Sequence, residues 1–420
     1  MKLSSRVGLL VATVAVTPVL LAGCTGHHAA APAAAPSPPT LTVSPADRAT
    51  GVPVSAEIAA ATDGRLSAVR LTDDRGAAVD GAMRPDGSSW LPNRPLEFAR
   101  SYTAEATATG PSGKTSTQKV RFTTMARPAK QVDSTMYVDS GRTYGVNMPL
   151  TVAFEPGVPK EARAAVQRRL LVSTEPAQPG TWAWLADGTQ AYYRAPDPWR
   201  PGTKISVRAA LAGVPMGAAG YGDADHTATA TIGDKVTLDI DNATKQMSVY
   251  KDDRLVRRIP VSLGKPSTPS SSGRMVIMEK YESTVFDTRG EPNGGYVVQV
   301  NNAQRLTWGG EFIHAAPWSE GDQGYTNVSH GCANVSDEAA AWLMRTTHVG
   351  DLVTVRGTEV QLEPGNGWTA WNMSWEEFAR GSALPVPPDL KPSAASPSPP
   401  PAAPTGTGAP TAAPSASVGG

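Results

Sequence analysis

Short alternating runs, each stopped by a turn residue, fill this chain from residue 41 onward. Leu41-Thr42-Val43, Val54-Ser55-Ala56-Glu57-Ile58, Ser67-Ala68-Val69-Arg70-Leu71-Thr72 and Tyr102-Thr103-Ala104-Glu105-Ala106-Thr107 repeat apolar residues at every second position, the period of a strand with one buried face. Asp63-Gly64, Arg75-Gly76, Asp86-Gly87 and Ser112-Gly113 supply the turns between such runs. Many short strands at close spacing predict a β-sandwich over 41–125. The texture continues over 126–232, with strands at 150–154 and 205–209 and one short helix over 159–171 entered at Pro159. Trp182, Trp184, Tyr192 and Tyr193 are either a platform for sugars or peptides or the filling of that sandwich.

A third domain spans 233–356. Val236, Leu238 and Ile240 alternate, residues 241–244 read as a hairpin turn, and 246–250 return as the next strand. Strands follow at 297–300 and 311–313. A helix over 337–347 has Ser336 as its N-cap and Asp337 and Glu338 in its first turn, where negative charge is favoured. A strand at 352–355 closes the domain. The extension 357–384 carries Trp368, Trp371 and Trp375, expected to pack back on the third domain. Residues 385–420 form a Pro/Ala-rich tail expected to be disordered, without charge or aromatic residues from Pro392 on.

The N-terminus reads as a targeting segment over 1–23. Lys2 and Arg6 precede an apolar run of about fifteen residues, short of the roughly twenty needed to span a bilayer. It ends in Leu21-Ala22-Gly23-Cys24, which resembles a bacterial lipobox and implies that Cys24 is lipidated. Residues 24–40 then form a tether, and the protein is expected outside the cytoplasm, lipid-anchored to the cell membrane and facing the cell wall. With 38 basic and 38 acidic residues, no net field argues for a nucleic acid partner.

Cys24 and Cys332 are the two cysteines, and each sits in a motif that suggests a separate job rather than a disulfide. The informative stretch runs from Ile313 to Ser336, IHAAPWSEGDQGYTNVSHGCANVS. A thiol nucleophile needs a base to make it a thiolate at neutral pH. His330 lies two residues before Cys332, which on a strand would put both on one face. His314 lies eighteen residues before it, so a folded-back loop would have to pair them. Gly331 lets the backbone approach a substrate. Residue types alone leave three readings open: a cysteine acyltransferase or hydrolase, a metal site built from His314, His330 and Cys332, or a buried structural cysteine. The metal reading lacks the paired spacing usual in zinc sites.

Ser329-His330-Gly331-Cys332-Ala333-Asn334-Val335-Ser336, with His314 upstream, resembles the signature of the L,D-transpeptidase (YkuD) catalytic domain. The layout resembles the actinobacterial and mycobacterial type: mainly β, with two Ig-like sandwiches, a β-rich catalytic domain with a short helix, and a small C-terminal subdomain. The resemblance implies Cys332 as nucleophile, His314 as its base, the Ala315 carbonyl orienting that ring, and His330 supporting the site. It also implies the amides of Gly331 and Cys332 as oxyanion donors, Tyr296, Gly309, Gly310 and Asn327 lining the substrate crevice, and Ser329 and Asn334 bracing the loop. The implied partners are peptidoglycan stem tetrapeptides, as donor and acceptor, and carbapenem inhibitors, with no cofactor and no metal. An L,D-carboxypeptidase and a non-catalytic wall-binding lipoprotein are the alternatives. Lys265 and Arg274 either meet acidic peptide groups or sit solvated. No lid is assigned within 282–295.

Overall fold

The computed structural model describes residues 37–391 except 85, 288, 290–294 and 296. Cys24, the targeting segment, most of the tether, Tyr296 and the tail beyond 391 therefore lie outside the described residues. Within them, no helix is long and apolar enough to cross a membrane.

The first sandwich packs two four-stranded sheets. One orders Thr42–Ser44, Ile58–Ala61, Ser89–Pro92 and Gly81–Met83, and the other orders Ala78–Val79, Arg65–Asp73, Ser101–Thr109 and Thr115–Thr123. The alternation read from the sequence is the burial pattern of Ser101–Thr109, where Tyr102, Ala104, Ala106 and Ala108 all face inward. Val54 and Ile58 are buried, but the strand begins only at Ile58. Residues 53–56 form a turn instead, with Ala56 N donating to Pro53 O at 2.9 Å.

The second sandwich opposes a four-stranded sheet to a five-stranded one. Its helix is a single turn, Arg163–Gln167, rather than the expected 159–171. Leu170 has left the helix because Leu170–Glu175 pairs along its whole length with Lys204–Ala209 of the neighbouring strand. Trp182, Trp184, Tyr192 and Tyr193 are all buried, so they fill the sandwich and offer no open platform. Glu57 of the first sandwich joins the two units. It accepts from Arg84 Nε at 2.8 Å and lies 3.2 Å from Arg169 Nη1. Burial alone would raise its pKa, but Arg84, Arg169 and Ser89 together hold it below the ordinary value.

The third domain has a six-stranded and a four-stranded sheet, the latter ordered Glu279–Asp287, Val297–Arg305, Phe312–Ala315, Ala333–Val335. The helix Asp337–Thr346 starts as its sequence dictates, with the Ser336 hydroxyl accepting from Ala339 N. Ala339, Ala340 and Leu343 seat it against Ile313 and Val335 in the core. The second sandwich meets this domain backbone to backbone, Gly145 N donating to Val349 O at 2.8 Å. A Cβ on Gly145 would lie 2.4 Å from the Asp351 amide nitrogen, which leaves glycine as the residue that fits.

The C-terminal extension departs from expectation twice. Its tryptophans seat mainly on the second sandwich, and it continues past 384 to Lys391, with Trp375 Nε1 donating to Leu390 O at 2.9 Å. The anchor is Arg194, 2% exposed. Its guanidinium donates to Ala370 O and Met373 O at 3.1 Å and to Ala195 O and Pro196 O at 3.3 Å. It also lies 4.4 Å from the Trp371 ring centroid and 4.5 Å from that of Phe378. Burial pulls its pKa down to about 10, which leaves it charged at neutral pH. Arg194→Ala would orphan these carbonyls and open a cavity, a loss of roughly 3 kcal/mol or more. A lowered melting temperature with new protease cleavage within 368–391 is the expected result, and Arg194→Lys should recover only part of it.

Candidate active site

Strand pairing brings His314 and Cys332 together. Phe312–Ala315 and Ala333–Val335 run parallel, with Ile313 opposite Ala333 and His314 opposite Asn334. The intervening residues loop out and return, so Cys332 enters the second strand one position before Ala333. Both side chains line one cavity of about 510 Å³, together with Trp318, Asp322, Ser329 and His330.

The buried imidazole of His314 has its Nδ1 2.8 Å from the Ala315 carbonyl oxygen. A carbonyl only accepts, so the proton sits on Nδ1 and Nε2 keeps its lone pair. Phe286 meets the ring edge-on at 5.2 Å between centroids, and Trp318 lies tilted at 6.1 Å. Burial lowers the pKa of His314 below the ordinary histidine value, and the bond to Ala315 offsets part of this. The ring is therefore a neutral base at neutral pH. Cys332 is 8% exposed, and its Sγ donates to the Gly310 carbonyl at 3.6 Å.

The turn before the cysteine is held from two sides. Gly331 has φ +122°, a conformation that other residues rarely adopt. Ser329 Oγ donates to Cys332 O at 2.6 Å and accepts from Gly331 N at 3.1 Å. From outside, Ser270 Oγ donates to Gly331 O at 2.6 Å, and Lys265 N donates to Ser329 O at 3.0 Å. Asn334 Nδ2 reaches Ser319 Oγ at 3.1 Å.

Several expected positions land elsewhere. The Gly331 amide is engaged by Ser329, because the turn closes on its own hydroxyl, and so it does not serve as an oxyanion donor in this conformation. Residues 329–332 form a turn, not a strand, and His330 is exposed with Nε2 3.0 Å from Lys265 Nζ. Lys265 is thus drawn to the site rim. Arg274 is exposed and outside the cavity lining, with its backbone amide donating to Asn372 Oδ1 at 2.9 Å. Asn327 spends its side chain on Leu263 N at 3.1 Å and Asn242 Oδ1 at 2.8 Å, so it braces the loop rather than lining the cavity. Gly309 N donates to Asn366 Oδ1 at 2.8 Å. Gly310 meets the thiol through its carbonyl, behind the cavity wall. Among the described residues, no group of three or more His, Cys, Asp or Glu is placed to hold a metal ion.

Family models match twice: a bacterial Ig domain over 49–215 and an L,D-transpeptidase catalytic domain over 235–355. L,D-transpeptidase 2 of Mycobacterium tuberculosis (strain CDC 1551 / Oshkosh) is 34% identical over 352 residues, 82% of this chain and 85% of its own. The chain belongs to the L,D-transpeptidase family. L,D-transpeptidase 5 of Mycobacterium tuberculosis (strain ATCC 25618 / H37Rv) is also 34% identical, over 90% of this chain and 84% of its own. A solved L,D-transpeptidase in complex with imipenem is 32% identical, covering 55% of this chain and all of its own, with a TM-score of 0.45. Membership makes the chain an acyltransferase by family.

As an L,D-transpeptidase, the chain uses residues that its signature does not announce. Ser270 lies in a Ser- and Pro-rich loop with nothing in its local pattern to mark it, and only its approach to Gly331 reveals the bracing. Trp318 and Asp322 lie inside the signature stretch, where an aromatic and a carboxylate between the two key residues were the available signal. The depressed His314 pKa predicts a pH profile. Acylation of the chain by p-nitrophenyl acetate should hold its rate as the pH falls through roughly 6.5, the ordinary histidine midpoint, and decline only below it. His314→Gln should remove that acid limb and slow acylation by roughly a hundredfold or more.

Proposed function

We propose that this chain joins peptidoglycan stem peptides at their third-position diaminopimelate residues through a thioester on Cys332. The observation that carries the reading is a neutral His314, its Nε2 left basic by the Ala315 bond, in one cavity with a thiol. Cys332 attacks the carbonyl of the third residue of a donor tetrapeptide as its proton passes to His314. The C–N bond to the fourth residue then breaks, His314 gives that proton to the departing D-alanine amine, and the thioester remains. The side-chain amine of a second stem peptide attacks the thioester, and a proton returns through His314 to the sulfur. One amide is exchanged for another, so no nucleotide or metal is required. The Cys332 amide is the proposed donor to the oxyanion.

Burial of His314 favours its uncharged imidazole at rest, since a buried charge loses solvation there. The proton then moves as attack proceeds, rather than in a standing ion pair. Lipidation of Cys24 would tie the chain to the outer face of the membrane, and the two sandwiches would space the catalytic domain towards the wall.

Incubating the purified chain with a stem tetrapeptide should give cross-linked dimer and free D-alanine, and Cys332→Ala should give neither. Free tripeptide without dimer would sink transpeptidation in favour of a carboxypeptidase. A carbapenem should add one acyl mass to the wild-type chain and none to Cys332→Ala. Failure of that adduct would point to a wall-binding module.

A further inference from the structure

Asp322 supplies the one carboxylate among the described residues lining the catalytic cavity. Its carboxylate has no hydrogen-bond or ion-pair partner among the described residues, and it is half-buried. The backbone that carries it is firmly held. Asp322 N donates to Ser319 O at 2.9 Å, and its carbonyl accepts from Tyr325 N at 2.9 Å and Thr326 N at 2.8 Å. The next residue, Gln323, is buried and donates from Nε2 to Ala316 O at 3.2 Å. Ser319 in turn receives Asn334 Nδ2 from the strand that begins just after the nucleophile. Asp322 therefore stands at a fixed place relative to Cys332, on the loop 317–326, while the Lys265–His330 pair marks the separate loop that carries the cysteine.

We propose that Asp322 determines acceptor specificity by drawing the cationic primary amine of the acceptor into the cavity ahead of its attack on the thioester. This rests on the transpeptidase reading and names how that site tells an amine from water. A carboxylate beside an acyl-enzyme favours an ammonium and disfavours the carboxylates that stem peptides also carry. The bound ammonium releases one proton to solvent before attack. As the C–N bond forms and the C–Sγ bond breaks, one of the amine's two remaining protons passes through His314 to Sγ, restoring the thiol, and the other stays on the new amide nitrogen. The attraction is to charge, so it fades with ionic strength. Water gains nothing from it, and Asp322 thereby sets the partition between cross-linking and hydrolysis.

The test loads the full chain with a stem tetrapeptide and resolves the thioester with either Nα-acetyl-lysinamide, whose only charge is its ammonium, or hydroxylamine, which is uncharged at neutral pH. Asp322→Asn should raise the KM for the lysine amine relative to that for hydroxylamine by about tenfold and shift products towards free tripeptide. Added salt should shrink the difference, and Asp322→Glu should restore most of it. A purely structural role for Asp322 would move both KM values together, and that result, or an unchanged ratio, overturns the proposal. Intact mass of the wild-type thioester is read alongside. Its absence would defeat the transpeptidase reading itself, whereas its presence with an unchanged KM ratio would defeat the assignment of Asp322 alone.

Discussion

A guanidinium with four carbonyl acceptors and three aromatic rings around it is a costly thing to bury, and Arg194 repays that cost by holding two parts of the chain in one arrangement. It rises from a strand of the second sandwich and closes on the C-terminal extension. That extension returns Asn366 to Gly309 and Trp368 to the Tyr137 ring, while Tyr137 also meets Trp308. Trp308 and Gly309 lie in the turn whose Gly310 carbonyl receives the Cys332 thiol. A chain of direct contacts thus runs from the middle of a sandwich to the back of the Cys332 thiol. The catalytic domain is accordingly not a passenger on a stalk, because the 308–310 turn behind the Cys332 thiol is backed by residues from both flanking units.

At the site itself, hydrogen bonds do more than charges. His314 is oriented by a backbone carbonyl, which cannot titrate, and the ring is walled by Phe286 and Trp318. The cysteine turn is stitched by Ser329 from within and by Ser270 and Lys265 from the adjacent loop. These bonds survive changes of pH and salt that would unsettle a site built on exposed ion pairs. Charged side chains appear at the rim, where a substrate arrives from water.

What was legible beforehand follows from what local pattern encodes. Strand alternation, the Ser336 cap and the spacing from His314 to Cys332 are short-range or signature features, and they place the β architecture and the two key side chains. The helix expected over 159–171 failed because six ladder pairs claimed Leu170–Glu175, a gain invisible in the segment's own residues. Asn327 looked like a crevice residue because of its position in the signature, yet both ends of its amide are taken by residues 64 and 85 positions away. Ser270 and Arg194 were missed for the same reason. Their partners lie far along the chain, and nothing in their immediate neighbours announces a buried backbone acceptor.

The parallel pairing of Phe312–Ala315 with Ala333–Val335 has a consequence for how such a chain can change over time. His314 and Cys332 are positioned by two adjacent rails of one sheet, so their separation does not depend on the path of the segment between them. That segment carries Trp318 and Asp322, which line the cavity, and the exposed Tyr325. Mutation can therefore rewrite which molecules are admitted while the reacting atoms stay in register, so selectivity and reactivity occupy separately editable stretches of one short motif.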